Sequence, residues 1–250
     1  NLSQKKNVDE NIRFLLANKK GGYCSFFNMP TSRYHGLFYF DESIMKMYKF
    51  IEDIEIVGSN DTSSLKNGFY FAQRIKGNVI ESFLMPKHFN SLVYEVSNEC
   101  EIDLLLDCKD SYDNREWGKY YEISEDDGCI IIQFTKKTDR REDLSNNAEE
   151  FVLYLAIKSD KNLYQKNDIW IERHYLADEE RNSHPFKRYV YNILRLKGSK
   201  FIFSISKNKG DAIKECIYVF NNLNEIKDKE KEYFFEILKN DSIKNILKNN

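Results

Sequence analysis

The sequence predicts a mostly β protein, a large antiparallel β-sandwich followed by short C-terminal helices. Three observations predict it. Between about residue 20 and residue 206, apolar runs of strand length alternate with turn signals. Only three prolines occur, so few strands are interrupted. After Gly210 the apolar spacing changes to steps of three and four residues, which is helical. On this reading residues 1–208 form the sandwich and residues 209–250 a helical linker segment.

Element by element, residues 68–75 and Val79–Leu84 read as two strands around the tight turn Gly77-Asn78. Tyr120–Ile123 and Cys129–Phe134 flank Asp126-Asp127-Gly128, whose Asp-Gly is a strong hairpin signal because glycine tolerates positive φ. Phe151–Ile157 is nearly all apolar, as expected of a strand buried on both faces. Ile169–Tyr175 alternates. Tyr189–Leu196 and Phe201–Ser206 lie either side of Lys197-Gly198-Ser199, which reads as another hairpin. Two packed sheets accommodate this many strands most simply. In the tail, Ile213, Ile217, Phe220, Leu223 and Ile226 fall on one helical face, with Asp211 placed to cap it. Tyr233, Phe234, Ile237 and Leu238 repeat the pattern, and Ile243, Ile246 and Leu247 begin a third. These amphipathic segments need the sheets, or a further partner, to cover them.

Composition narrows the function classes. The 250 residues are 41% hydrophobic, enough for a substantial core. Thirty-eight Lys+Arg nearly balance 40 Asp+Glu, so neither nucleic acid nor an anionic membrane is expected as partner. No apolar run approaches the ~20 residues that span a bilayer, and the polar start Asn1–Lys6 precedes no signal-peptide core. A soluble, cytoplasmic protein is the expectation. Five scattered cysteines without a CxxC pair argue against a disulfide framework and against a zinc ribbon. His88, His174 and His184 stand apart, without HxH, HxxxH or HExxH spacing, so no metal is expected. GxSxG, P-loop and GxGxxG motifs are lacking, and no cofactor is expected either.

The most informative segment runs from Phe14 to Phe38. It contains Leu16, Asn18, Gly21-Gly22-Tyr23-Cys24-Ser25 and then Arg33-Tyr34-His35-Gly36-Leu37. Bacterial and archaeal glycogen-debranching enzymes (amylo-α-1,6-glucosidases) open with a segment like W-L-x-x-N-G-x-G-G-Y-A-S followed by R-x-Y-H-G-L, and this chain resembles them in that order. Tyr112-Asp113-Asn114-Arg115-Glu116-Trp117-Gly118-Lys119-Tyr120-Tyr121-Glu122-Ile123 is similar to a second stretch of that family, Y-D-x-R-x-W-G-x-Y-Y-E-I. Phe14, Lys19 and Ser32 depart from the pattern, standing where the family usually has Trp, Gly and Arg. The resemblance implies the large, supersandwich-like β-sandwich that precedes an (α/α) toroid, with the short C-terminal helices as the linker leading into it. It implies that the catalytic carboxylates, which would release glucose from α-1,6 branch points, lie in that toroid and outside these 250 residues. The chain would then be the non-catalytic N-terminal domain, with no catalytic residue of its own. Its partners would be a helical catalytic domain, in cis or in trans, and through it an α-glucan such as glycogen.

Read from the residues alone, the same segments keep several possibilities open. Gly21-Gly22 permits a tight turn or a close backbone approach. If Arg33–His35 were a strand, Arg33 and His35 would share a face and Tyr34 would point away. A cation, a phenol and an imidazole together suit a polyol site, and they equally suit a structural hydrogen-bond network. Trp117 is either a sugar platform or packing. Asp107, Asp110, Asp113 and Glu116 lie beside Lys109 and Arg115, either as a polar turn or as a source of the carboxylate pair a glycosidase needs. The candidate substrate-binding or interface residues are thus Tyr23, Arg33, Tyr34, His35, Arg115 and Trp117. The alternatives to the debranching-domain reading are a free-standing carbohydrate-binding or regulatory β-sandwich, and a hydrolase with its own carboxylates between Asp110 and Glu116.

Overall fold

The computed structural model describes residues 4–7, 13–27, 31–59, 62–139 and 148–239. The first strands are β1 (Gln4–Asn7), β2 (Leu16–Ala17), β3 (Tyr23–Ser25), β4 (Gly36–Asp41) and β5 (Lys46–Ile56). Next come β6 (Thr62–Asn67), β7 (Ala72–Lys76), β8 (Val79–Leu84) and β9 (Ser91–Asp110). β10 (Lys119–Asp126), β11 (Cys129–Lys137), β12 (Glu149–Ser159), β13 (Leu163–His174) and β14 (Lys187–Ser206) complete the sheet. Helix α1 (Leu176–Glu180) precedes β14, and α2 (Lys209–Asn221) and α3 (Leu223–Lys239) follow it.

The 14 strands make one antiparallel hydrogen-bonded network, folded by its two longest members into a sandwich. β9 and β14, 20 residues each, pair with one another from Ser91↔Ser204 to Leu106↔Tyr191. The beginning of β9 carries β8, β7, β6 and β1, and the end of β14 carries β12, β11 and β10. The end of β9 carries β5, β4, β3 and β2, and the beginning of β14 carries β13. Each long strand therefore runs through both layers. Between the layers lies one continuous core, in which Tyr48 of β5 meets Phe151 of β12 at 4.7 Å and Phe14 meets Phe83 of β8 at 4.9 Å.

The predicted hairpins at Gly77-Asn78 and Asp127-Gly128 are present, with Lys76 opposite Val79 and Asp126 opposite Cys129. Asp127 and Gly128 both have positive φ (48° and 69°), the combination a type I′ turn demands. The first predicted strand is shorter than expected: Gly68 to Phe71 is a turn closed by Gly68 N–H on the Phe71 carbonyl. The hairpin predicted at Lys197-Gly198-Ser199 is absent. The chain passes straight through as β14, with a register break between Gly198 and Lys200. Asp160 explains the break, because its carboxylate accepts from Ser199 N–H, Ser199 Oγ and Lys200 N–H. A Cβ on residue 198 would stand 2.4 Å from Asp160 Oδ1, so this glycine serves a close approach rather than a turn.

Strand alternation distributes the core. Leu92, Tyr94, Ile130, Ile132, Leu155, Ile157, Phe201 and Phe203 point inward, whereas Val93, Ile131, Ala156 and Ile202 point outward under the helices. α2 lies on that outer face through Ala212, Ile213, Cys216 and Val219, and α3 continues it with Leu223 and Ile226. The predicted stripe is rotated by part of a turn: Ile217 and Phe220 are only half-buried at its margin. Small Ala212 and Cys216 face the sheet and let the helix axis approach it. Asn208, not Asp211, caps α2, its side chain accepting from the Asp211 N–H. The third apolar pattern, at Ile243, Ile246 and Leu247, lies outside the described residues. All five cysteines are free thiols, four of them buried. Among the described residues no helix is long and apolar enough to cross a membrane.

Candidate functional site

The second layer, formed around β4, β5, the end of β9 and the start of β14, has an outer face without helices α2 and α3. Ile102, Leu104, Leu106 and Cys108 of β9 go to the core, so the intervening Asp107 and Lys109 face the other way. There they meet Lys49, Glu52 and Arg188, all buried. Three segments roof this face: the turn before β4, the stretch from Tyr175 through α1, and the connection from β9 to β10. Tyr175 donates its hydroxyl to Glu52 Oε1 at 3.0 Å. The Lys49 ammonium is hydrogen-bonded to Glu52 and also reaches the Arg33 carbonyl at 3.1 Å.

Arg33, Tyr34 and His35 do not form a strand. His35 N–H returns to the Ser32 carbonyl at 2.9 Å, closing a turn, and the three side chains diverge. Arg33 donates to Ser183 Oγ and to the His184 carbonyl at 2.8 and 2.7 Å, while its own N–H caps Asp178. It is a clamp between the turn and the segment after α1. His35 turns inward and is fully buried between Phe26 and Phe27. Its Nδ1 accepts the Phe27 N–H at 3.0 Å, which leaves the ring proton on Nε2, 3.2 Å from Asp53. Behind Asp53, Arg74 makes a two-pronged pair with Glu81, which also accepts from Tyr94. Burial opposes the charge on Asp53, but His35 and Arg74 outweigh it and hold the carboxyl well below the usual range. His35 therefore belongs to an internal network and not to an accessible site.

Tyr34 points out, 40% exposed. Tyr23 is half-buried and stacks on Phe38 with ring centroids 4.4 Å apart. Burial, and then the phenols of Tyr34 and Tyr112, push the Tyr23 hydroxyl up. The register Tyr23↔Phe38, Phe38↔Lys49 and Lys49↔Lys109 puts Tyr23 on the face that the turn bearing Tyr112 also borders. Tyr112 is 84% exposed at the end of a cleft of about 560 Å³ that Asp113, Arg115, Glu150 and Lys46 also line. Arg115 sits there as a double fork, on Asp113 at 2.9 and 3.0 Å and on Glu150 at 2.7 and 2.8 Å. Trp117 is 46% exposed, and its carbonyl is held by Lys136 at 2.5 Å.

The acidic residues around Arg115 divide between turn chemistry and ion pairs. Asp110 Oδ1 accepts the Tyr112 N–H, and the Asp110 carbonyl accepts the Asp113 N–H, an Asx-type turn. Burial favours the neutral form of Asp113, yet its Arg115 hydrogen bonds and the charge of Lys136 bring it down to about 2. The Arg115 hydrogen bond lowers Glu150 as well. Both are held as carboxylates by the Arg115 forks, the opposite of the protonated carboxyl that a general acid presents. Among the described residues no group of three or more His, Cys, Asp or Glu is placed to hold a metal ion. Lys49, Lys109 and Arg188 were not apparent as site residues in the sequence. The available signal was a charge inside an otherwise apolar strand, as in Tyr48-Lys49-Phe50-Ile51.

No protein-family model matches this chain, and no curated protein matches it.

Proposed function

We propose that this chain is a non-catalytic β-sandwich domain of glycogen-debranching type that supports a helical catalytic domain in α-glucan breakdown. The face bearing Tyr23, Tyr34 and Tyr112, with the Arg115 cleft beside it, is the surface turned toward that domain and its glucan. One observation carries the reading. Tyr23 of β3, Phe38 of β4, Lys49 of β5 and Lys109 of β9 are register partners in turn, so the first family-like segment and the turn after β9 that opens the second lie on one face of the sandwich. Exposed phenols beside fixed charges are the groups that hold polyols, and planar aromatic rings add low-entropy contact area. The conformationally demanding residues of the motif hold its turn and strands in place. Asn18 accepts the Gly22 N–H and binds the Phe89 carbonyl, and Gly36 lets β4 lie against β5.

The test compares glucan binding and glucose release by this chain alone and together with a helical α-1,6-glucosidase domain. No glucose release is expected from the chain alone. Tyr34→Ala and Tyr112→Ala should reduce glucan turnover of the pair about tenfold while leaving stability within ~0.5 kcal/mol, as for surface positions. Turnover by the chain alone that vanishes in Asp113→Ala or Glu116→Ala overturns the reading. The exposed Tyr112 at an open polar cleft also favours a free-standing carbohydrate-binding domain. Saturable glucan binding by the isolated chain, unchanged by any helical partner, would select that alternative.

A further inference from the structure

The geometry points to an oxyanion-binding site, for a carboxylate or a phosphate group, at Arg188 and Lys109, with the Glu116 side chain acting as its internal occupant. This inference stands apart from the glucan reading and uses none of the tyrosines. Its centre is Asp107, fully buried, which three cations surround. Lys119 is 2.7 Å from Oδ1, and Arg188 Nε and Lys109 Nζ are 3.3 and 3.5 Å from Oδ2. Glu116 is the second carboxylate, 3.2 Å from Arg188 Nη2 and 3.9 Å from Lys119. Three cations against two carboxylates leave one positive charge unbalanced in a region from which water is largely excluded. An uncompensated buried charge is strongly unfavourable.

The cations are also poorly satisfied. None of the three guanidinium nitrogens of Arg188 has an aligned hydrogen bond, and neither does Lys109 Nζ, although both side chains are almost wholly buried. A guanidinium binds an oxyanion best through two parallel N–H donors, and Glu116 meets only one of them. Burial first, and then the charges of Arg188, Lys49 and Lys119, depress the Lys109 ammonium to about 8 in spite of Asp107, which marks the local excess of positive charge. Asp107 and Arg188 have no route to solvent through their own side chains. Glu116 does: its side chain is 38% exposed, next to exposed Trp117. Rotation of Glu116 outward would open Arg188 Nη2 to an incoming oxyanion, which would take over the contact and add donors from Arg188 and Lys109. Arg188 and Lys109 are almost wholly buried beneath the β9–β10 connection that carries Glu116, so the site suits one anionic group on a ligand or partner rather than a polyanion.

The experiment titrates the full chain with inorganic phosphate, and separately with acetate, at constant ionic strength, reading thermal midpoint and calorimetric affinity. A ligand that binds only the folded state raises the midpoint saturably. The same titrations are run on Glu116→Gln, which keeps the shape of the side chain and removes the competing charge, and on Lys109→Met. Saturable binding that tightens about tenfold in Glu116→Gln and is lost in Lys109→Met is the expected result. Tightening for phosphate alone assigns a tetrahedral anion, and tightening for acetate alone a carboxylate. Because Glu116 lies at the rim, its variant tests the inference even if Lys109→Met fails to fold. Absence of saturable binding in both wild type and Glu116→Gln, or equal affinity in the two, overturns it.

Discussion

At Gly36 the backbone takes a φ of 123°, and a Cβ there would stand 2.1 Å from the Ile51 carbonyl oxygen. Only glycine relieves both constraints, because the obstacle is backbone and cannot rotate away. Gly36→Ala should therefore cost more than ~4 kcal/mol, the range reserved for strain and overpacking, measurable by urea unfolding. Arg33 is neither a free surface residue nor a core member. Loss of its hydrogen bonds to Ser183 and His184 should cost ~1–3 kcal/mol in Arg33→Ala. A change below half a kcal/mol would show that the clamp carries no stability. Asp113 gives a pH dependence. Its carboxyl titrates at about 2 in the folded chain against 3.8 ordinarily, so the unfolded chain takes up the proton first. The stabilisation is fully present above about pH 4 and disappears as pH falls from there to about 2, an amount of about 2 kcal/mol. Asp113→Asn should flatten that part of the acid unfolding profile.

Among the elements, α2 and α3 show how a sheet face selects a helix face. Leu223 and Ile226 are buried against the first layer, whereas Phe220 is only half-buried and sits near Lys200 and Lys158. Leu223→Ala should cost ~2–5 kcal/mol, the range for a buried leucine, and Phe220→Ala less than the ~3–5 kcal/mol of a fully buried ring. Thermal or urea denaturation of the two variants checks the order, and the reverse order would mean that the helix is seated on its other edge. α3 then packs its aromatic turn on the first layer's rim, where Lys87 lies 3.0 Å from the Tyr233 ring centroid and pairs with Glu230 at 3.3 Å.

For the whole molecule, the continuity of β9 and β14 through both layers has a thermodynamic consequence. Neither layer can lose its central strands without taking the other's with it, and one core fills the space between them. Urea unfolding should therefore be a single cooperative transition despite the length of 250 residues. Trp170 stands on β13 of the second layer, and the Trp117 carbonyl is held by Lys136 of β11 in the first, so their fluorescence should unfold together with the far-ultraviolet dichroism of the entire sheet. Two separated transitions would mean that the layers fold as independent units.

The sequence by itself determined the β class, the two short hairpins and the amphipathic tail, because each depends on neighbours a few residues away. Asp127-Gly128 adopts its turn through its own φ preferences, and the alternation at Ile130–Ile132 is a local property of a strand. Gly198 could not be read in this way. A glycine between lysine and serine has the signature of a turn, and only the approach of Asp160, 38 positions earlier, makes it part of a straight strand. The candidate site divides on the same line. The order of residues put Tyr23, Arg33, Tyr34 and His35 in one motif, but tertiary structure decided which of them faces solvent and which enters the core. His35 went inward because its Nδ1 accepts the Phe27 N–H there and its Nε2 lies 3.2 Å from the Asp53 carboxylate. Tyr34 stayed outward and exposed. The buried cations at Lys49, Lys109 and Arg188 were least legible of all. Glu52 and Asp107, the counter-charges of Lys49 and Lys109, are close by on the same strands, but only the pairing of β5, β9 and β14 buries them together and brings Arg188 onto Asp107.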